Sequence, residues 1–249
     1  AYYACEQGAS GVDMGRNMTF DDVSFYRRLC HEASGPVLEL GCGNGRILLP
    51  LLQDGIDAIG VDASAGMLAA MQRTAQSRGL PMRAARMDIR ALGLRAGFGV
   101  TLCPYSLITY VREDRDVAVL LAALFALLRP GGRCVIDAFV PRRPAVASEF
   151  ALDYRRPFEA GVLARWKRIT AVSATVNRIE RRYVVEDAAG HTINIVDVVE
   201  DIRPRSHGEL QEHLRTAGFA LPDIWWDYGA SAECTTAQFA TLVARRPPR

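Results

Sequence analysis

The sequence predicts an α/β fold built on a doubly wound parallel sheet. In the first 140 residues, short apolar runs alternate with segments of helical periodicity. Strands that are buried on both faces of a parallel sheet have this uniformly apolar character. After Pro141 the pattern changes to longer segments with polar alternation, which is typical of antiparallel strands. We therefore expect one domain over residues 1–249, with an antiparallel β insertion at residues 141–205 after the fifth strand.

The individual elements of the first part follow from periodicity and from helix-ending residues. The predicted strands are 37–40, 58–61, 83–87, 98–102 and 134–138. The predicted helices are 46–53, 64–77 and 113–128, the last ended by Pro130, Gly131 and Gly132. This strand–helix alternation places helices on both faces of the sheet.

The second part of the chain is predicted from alternation and from turn and cap signals. Strands are expected at 163–169, 172–185 and 192–202, with a turn at Ala188-Ala-Gly190. Ser206 and Glu209 form a capping box that begins a helix ending near Gly218. Strands at 219–227 and 239–244 follow.

Charge and composition exclude several classes of protein. The 30 basic and 28 acidic residues leave a net charge of +2, which argues against nucleic acid as the main partner. The longest apolar run, 117–128, is far shorter than the roughly 20 residues of a membrane span. No secretory signal opens the sequence. The six cysteines show no metal-ligand spacing with the four histidines, so we expect buried thiols, no metal site and a cytoplasmic location.

A glycine-rich turn is expected directly after the first strand. Gly41, Gly43 and Gly45 precede the predicted helix, and glycines allow a backbone to approach a ligand closely. Glu39 either bonds amides of this turn or faces the ligand. A dinucleotide fingerprint would place its third glycine at position 46, which is Arg46. A nicotinamide-dependent oxidoreductase is therefore the weaker alternative.

Acidic residues end the next two strands. Asp62 comes 17 residues after Gly45 and can hold both hydroxyls of a ribose, although it could also cap the following helix. Asp88 can accept a hydrogen bond from an adenine amino group while Ile89 packs on the ring, although it could also be a surface turn residue. Together these features predict a nucleoside site at the carboxyl edge of the sheet.

This constellation resembles the class I S-adenosylmethionine-dependent methyltransferases over residues 37–139. The motifs are Val37-Leu-Glu-Leu-Gly-Cys-Gly-Asn-Gly-Arg46, Gly60-Val-Asp-Ala-Ser64 with Met67, Met87-Asp88, and Leu128-Arg-Pro-Gly-Gly132. The remainder is more loosely similar to small-molecule members, including amino-sugar N-methyltransferases. The resemblance implies a Rossmann-like seven-stranded sheet with its last strand antiparallel.

The resemblance also implies the cofactor and its contacts. The cofactor would be S-adenosyl-L-methionine, with S-adenosyl-L-homocysteine as product. Residues 1–35 would form an N-terminal cap segment that meets the donor's carboxylate, although this segment could serve packing alone. The implied cofactor-binding residues are Tyr3, Arg16, Glu39, Gly41, Gly43, Asp62, Ala63, Met67, Asp88, Ile89 and Cys103.

The expected acceptor is a small molecule. The fourth strand is followed by Pro104-Tyr105-Ser106, which lacks the Asp/Asn-Pro-Pro-aromatic motif of nucleobase amino-methylating relatives. Tyr110 lies where relatives place a polar ring beside the acceptor, and it is the catalytic candidate; a partly buried turn ring is the alternative. Tyr105, Trp166 and Tyr228 are the substrate-binding candidates.

The insertion is expected to cover the substrate site, because a cover over the carboxyl edge excludes water. We favour the face that carries Trp166 as the acceptor face, because small-molecule pockets are mostly apolar. A homodimer interface is the competing role for the insertion. Its arginines either bind an anionic substrate or lie on a solvated face; they are Arg155, Arg156, Arg165, Arg168, Arg178, Arg181 and Arg182. The expected reaction is in-line methyl transfer to N, O or C, and a non-catalytic S-adenosylmethionine-binding module remains an alternative.

Overall fold

The structure, a computed structural model, describes residues 20–142, 149–158 and 161–248. The chain divides into two compact units. The larger comprises residues up to Val140 together with those from Arg205 onward, and the smaller is Pro141–Pro204. Tyr3 and Arg16, the cap-segment candidates for the donor's carboxylate, lie outside the described residues.

The elements are numbered in chain order. The strands are β1 Val37–Leu40, β2 Ala58–Asp62, β3 Ala84–Arg86, β4 Phe98–Cys103, β5 Leu128–Phe139, β6 Ala151–Phe158, β7 Gly161–Ala171, β8 Asn177–Glu186, β9 Thr192–Ile202, β10 Asp223–Trp226 and β11 Phe239–Arg245. The α-helices are α1 Asp22–His31, α2 Leu48–Gln53, α3 Ala65–Ser77, α4 Asp114–Leu127 and α5 His207–Thr216. Short 3₁₀ turns occupy Leu107–Tyr110 and Asp227–Gly229. Within these described ranges, no helix is both long and apolar enough to cross a membrane.

The larger unit is built on a seven-stranded sheet in the order β10-β11-β5-β4-β1-β2-β3. Strands β1 to β5 are parallel, whereas β11 runs antiparallel to both of its neighbours, β5 and β10. The predicted doubly wound sheet with its last strand reversed is therefore confirmed. The strand order reverses between β1 and β4, and ligands of such sheets bind outside the carboxyl ends at this point.

Helices cover both faces of this sheet because its central strands present apolar side chains on both faces. Every residue of β1 and of β4 is buried. On one face Leu38 and Leu40 pack with α4 and α5 through residues such as Leu120. On the other face Val37 packs with α1 to α3. Burial of each such side chain contributes roughly 1.5–3 kcal/mol to folding stability. A well-packed core therefore positions the strand ends at the carboxyl edge.

Several element boundaries differ from the predictions for local reasons. The helix expected from residue 46 begins at Leu48, because the glycine turn continues to Ile47. Pro130, Gly131 and Gly132 do end α4, but they also lie inside β5, which starts at Leu128 and shifts its register against β4 in this region.

Two later strands, β8 and β10, also begin after the predicted residue. The strand expected from residue 172 begins at Asn177, because the Ser173 hydroxyl accepts hydrogen bonds from the next turn's amides. The strand expected from residue 219 begins at Asp223.

The smaller unit is a four-stranded antiparallel sheet in the order β6-β7-β8-β9. Strand β6 was not predicted, because Asp153, Arg155, Arg156 and Pro157 hide its alternation. Leu163, Tyr183 and Val185 form a small core on one face. Most of the arginines of the insertion pair with carboxylates of the same sheet. These pairs are Arg155–Glu186, Arg165–Asp153, Arg168–Glu180, Arg178–Asp201, Arg181–Glu200 and Arg182–Asp197. Arg165 and Arg181 are only 16% and 12% exposed at their side chains, so these two do not fit the solvated-face alternative.

Candidate active site

The turn after β1 has a backbone conformation that favours glycine. Gly41, Gly43 and Gly45 have φ angles of 61°, 55° and 89°, a region that side chains with a Cβ rarely adopt. A Cβ on Gly41 would lie 2.7 Å from Leu107 Cδ2, and one on Gly45 would lie 2.6 Å from Leu49 Cγ. The conformation of the turn therefore favours glycine at all three positions, and side-chain packing adds to this preference at Gly41 and Gly45.

Asp62, at the end of β2, holds this turn in place. Its Oδ2 accepts a hydrogen bond from the Gly43 amide at 2.9 Å, and its Oδ1 accepts one from the Ser64 amide at 2.7 Å. The side-chain cap of α3 is Ser64, whose hydroxyl accepts from Met67. A carboxylate has about four acceptor positions, so Asp62 retains capacity for the two hydroxyls of a ribose.

Glu39 lies beneath the turn with only 2% of its surface exposed. Burial raises the pKa of its carboxyl to about 8, against the favourable charge of Arg46. Its Oε2 is buried and has no hydrogen-bond partner among the described residues. A buried unpartnered carboxylate oxygen is costly, and it suits a cationic ligand group such as an ammonium.

These residues fit S-adenosylmethionine, which carries an ammonium and a ribose diol. Glu39 would bind the ammonium, Asp62 the diol, and the glycine turn allows close approach of the donor to the backbone. The other predicted contacts to S-adenosylmethionine differ in how exposed they are. Ala63 is exposed at the start of α3, Met67 is 7% exposed, and Cys103 is buried at the end of β4.

Asp88 is engaged by its own neighbour. Arg90 donates to both carboxylate oxygens of Asp88, with Nη2 at 2.6 Å from Oδ2, and the Arg90 amide donates to Oδ1 at 2.9 Å. This pairing lowers the pKa of Asp88 to about 2. Ile89 beside it is half-buried. An adenine contact by Asp88 and Ile89 stays a prediction, and it requires Asp88 to share its acceptor positions with Arg90.

The segment after β4 presents two of the predicted tyrosines. Tyr105 and Tyr110 are each 39% exposed, and Tyr110 ends the 3₁₀ turn. The Arg46 guanidinium lies 5.6 Å from the centroid of the Tyr105 ring and forms a two-pronged ion pair with Asp22 of α1, each contact at 2.7 Å. Arg46 thus connects the glycine turn with the Tyr105 segment and with α1.

The other substrate-binding candidates lie in different surroundings. Trp166 is 37% exposed in β7, where it pairs with Leu152 and Arg182. Tyr228 is 5% exposed, and its hydroxyl donates to Asp137 at 2.5 Å. Substrate contact by either residue stays a prediction.

Asp137 and Phe139, near the carboxyl end of β5, were not among the sequence candidates. Asp137 is fully buried, and burial raises the pKa of its carboxyl to about 6. Phe139 is 39% exposed. The sequence signal that could have found Asp137 is an acidic residue inside the apolar run of a central strand, because such residues are almost never buried without a partner.

Comparisons with known proteins agree with this geometry. Residues 37–132 match the model of a family described as a methyltransferase domain. The chain is 30% identical over 128 residues to the glycine/sarcosine N-methyltransferase of Parasynechococcus marenigrum, covering 51% of this chain and 45% of that protein. It therefore spans less than half the length of this relative.

Solved structures share the fold. An S-adenosylmethionine-dependent methyltransferase from Clostridium acetobutylicum matches with a TM-score of 0.77 at 18% identity, covering 90% of both chains. The sugar N-methyltransferase KedS8 from Streptoalloteichus matches with a TM-score of 0.73 at 23% identity, covering 96% of this chain and 94% of that one. The chain therefore matches a methyltransferase domain over residues 37–132 and shares its fold with these two solved methyltransferases.

Proposed function

We propose that the protein transfers the methyl group of S-adenosylmethionine to an amine nitrogen of a small-molecule acceptor. Binding of S-adenosylmethionine is supported by one observation: Glu39 Oε2 is buried without a hydrogen-bond partner among the described residues, beside a glycine turn that Asp62 holds. The choice of nitrogen is supported by two similar proteins whose names state this activity, a glycine/sarcosine N-methyltransferase and a sugar N-methyltransferase.

The role of the chain in this reaction is to position two reactants. When bound, S-adenosylmethionine supplies an electrophilic methyl on a sulfonium. Glu39 and Asp62 would hold the groups on either side of the sulfonium, the amino acid and the ribose, so that the methyl is presented beyond the carboxyl edge. The acceptor nitrogen forms a bond to the methyl carbon, the electrons of the carbon–sulfur bond stay on sulfur, and a proton leaves the nitrogen to solvent. Alignment of this kind can supply roughly 7–11 kcal/mol of a barrier.

Tyr110 is the proposed contact to the acceptor nitrogen. Its exposed ring ends the 3₁₀ turn that begins four residues after β4. A phenolic oxygen accepts or donates a hydrogen bond, so it can orient an amine lone pair toward the methyl.

The smaller unit is proposed to complete the acceptor site. The chain enters it at Pro141, two residues after β5 ends at the carboxyl edge. Within this unit, Trp166 of β7 is the proposed contact to the acceptor, on a face that it shares with Arg168 and Arg182.

Calorimetry and a donor-consumption screen test this proposal. S-adenosylhomocysteine should bind with micromolar affinity and NADH should not bind. In the screen, amines should consume the donor, whereas hydroxyls, carboxylates and activated carbons should not. Binding of NADH alone would favour the oxidoreductase alternative. Donor binding with no acceptor consumed across a broad panel would favour a non-catalytic binding module.

A further inference from the structure

A buried carboxylate joins four segments near the proposed acceptor site. Asp137 Oδ2 accepts hydrogen bonds from the hydroxyls of Tyr26 at 2.6 Å and Tyr228 at 2.5 Å, while Oδ1 accepts one from the Ser106 amide at 3.2 Å. The hydrogen-bond donors come from α1, from the turn after β10 and from the turn after β4. The proposed S-adenosylmethionine site uses none of these hydrogen bonds, so the network has another role.

Two of the segments that Asp137 holds have an unfavourable backbone conformation. Tyr105 and Ser106 have φ angles of 53° and 55°, and Asp227 and Tyr228 have φ angles of 47° and 59°. Consecutive non-glycine residues in this region persist only where the surroundings fix them, and such strain is concentrated at functional sites.

The turn after β4 is also bonded to the end of β5. The Ser106 hydroxyl accepts a hydrogen bond from the Phe139 amide at 2.5 Å. Residues 105–106 are therefore attached to β5 twice, through Asp137 and through Phe139. This double attachment sets the position of the Tyr105 ring relative to the Phe139 ring.

The two rings form an exposed aromatic pair above the buried carboxylate. The centroids of Tyr105 and Phe139 are 6.2 Å apart with planes at 67°, and each residue is 39% exposed. Phe239, at the start of β11, supports Phe139 from a centroid distance of 4.6 Å and is 3% exposed. Aromatic faces attract ammonium groups and pack against C–H surfaces.

We propose that Asp137 is a positioning residue for the acceptor, because it fixes the left-handed turn that presents Tyr105 beside Phe139 as the contact surface for the amine-bearing part of the acceptor. This inference rests on the proposed function for the identity of the acceptor. Asp137 itself touches no reactant and acts through the Ser106 amide and the Tyr228 hydroxyl.

Asp137→Asn tests this role. An amide offers one acceptor oxygen in place of two, so either Ser106 or the tyrosine pair loses its acceptor. We expect kcat/KM for the acceptor to fall at least tenfold, whereas the Kd of S-adenosylhomocysteine changes less than twofold. Hydrogen exchange at the Ser106 amide should accelerate at least tenfold while the amides of β4 remain protected.

Two further variants separate positioning from loss of stability. Leu121→Ala opens a cavity in the buried face of α4 and lowers the thermal midpoint while it removes none of the hydrogen bonds of the turn. It should leave kcat/KM within twofold. If Asp137→Asn does not fold, Tyr228→Phe carries the test, because it removes one of the two hydrogen bonds through which Asp137 acts and keeps the buried ring. We expect about a threefold loss in kcat/KM.

The acceptor in these assays is whichever compound the unsubstituted protein methylates. A hydroxyl acceptor would therefore overturn the proposed amine chemistry and leave the test of Asp137 in place. An unchanged kcat/KM in Asp137→Asn, or in Tyr228→Phe where that variant carries the test, would overturn the positioning role. So would a loss in Leu121→Ala as large as that in Asp137→Asn, or an equal loss of donor affinity.

Discussion

At the residue scale, Asp62 is the group on which both the glycine turn and the proposed ribose contact depend. Asp62→Ala removes the acceptor for the Gly43 amide as well as the acceptor for the ribose diol. Charge-assisted hydrogen bonds contribute roughly 1.5–3 kcal/mol each, so we expect the Kd of S-adenosylhomocysteine to rise at least tenfold by calorimetry.

Asp57 provides the control for this variant. It lies just before the amino end of β2, is paired with Arg83 and is 60% exposed at its side chain. Asp57→Ala should leave the Kd within twofold. Unaltered affinity in Asp62→Ala would remove Asp62 from the donor site.

Glu39 predicts a pH dependence of stability. Its pKa in the folded protein is about 8, above the ordinary 4.5, so the folded state binds a proton more tightly than the unfolded state. The contribution of this proton to folding stability is fully present below about pH 4.5 and is lost as pH rises toward 8. Glu39→Gln is neutral throughout. The free energy of unfolding in urea should therefore fall more steeply for the unsubstituted protein than for the variant between pH 5 and pH 8. Parallel pH profiles would mean that Glu39 titrates normally.

The two sets of site residues differ in how far sequence can predict them. The glycines, Glu39 and Asp62 are predictable because the conformation of the turn and the ends of parallel strands restrict residue type locally. Asp137 was missed because its partners, Tyr26 and Tyr228, are 111 and 91 positions away in the sequence. No local pattern records such a network.

At the element scale, one buried arginine holds the segment that carries Tyr110. The side chain of Arg205 is fully buried. It donates to the carbonyls of Val111 and Arg112, each at 2.7 Å, and to the Asp114 carboxylate at 3.1 Å. The chain is thereby fixed between the 3₁₀ turn and the start of α4.

Arg205→Ala should therefore destabilise the larger unit. Two carbonyls lose charge-assisted donors and a cavity opens, so we expect a loss of about 3 kcal/mol in the free energy of unfolding, measured in urea. Arg215→Ala is the control, because Arg215 is 72% exposed and pairs only with Glu212 nearby; exposed pairs contribute less than about 1 kcal/mol. Equal losses in the two variants would refute the anchoring role of Arg205.

The observed strand boundaries show which features of the fold a sequence pattern can predict. The core strands β1, β2 and β4 were predicted within one residue, because uninterrupted apolar runs mark strands buried on both faces. The extension of β5 back to Leu128 was missed, because Pro130 and two glycines indicate a turn locally, whereas pairing with β4 and β11 extends the strand. Tertiary pairing overrides local propensity there.

At the scale of the whole molecule, the proposed contacts to S-adenosylmethionine that the structure describes all belong to one of the two units. Glu39, the glycine turn and Asp62 all lie in the larger unit, and the smaller unit has its own small core of Leu163, Tyr183 and Val185. The smaller unit was predicted only in part, because its strands alternate charged residues on a solvated face and leave few apolar positions to mark them.

Replacement of residues 141–204 with a short Gly-Ser linker tests the proposed division of labour. Arg205 must be kept, because it anchors the Tyr110 segment within the larger unit. The Kd of S-adenosylhomocysteine should change less than threefold, since every proposed donor contact remains, and methyl transfer should fall at least a hundredfold, since the acceptor loses its cover. Mass in solution is measured on the same samples. Retained turnover together with a smaller assembly would instead assign the smaller unit to a subunit interface and place the acceptor site wholly at the carboxyl edge of the larger sheet.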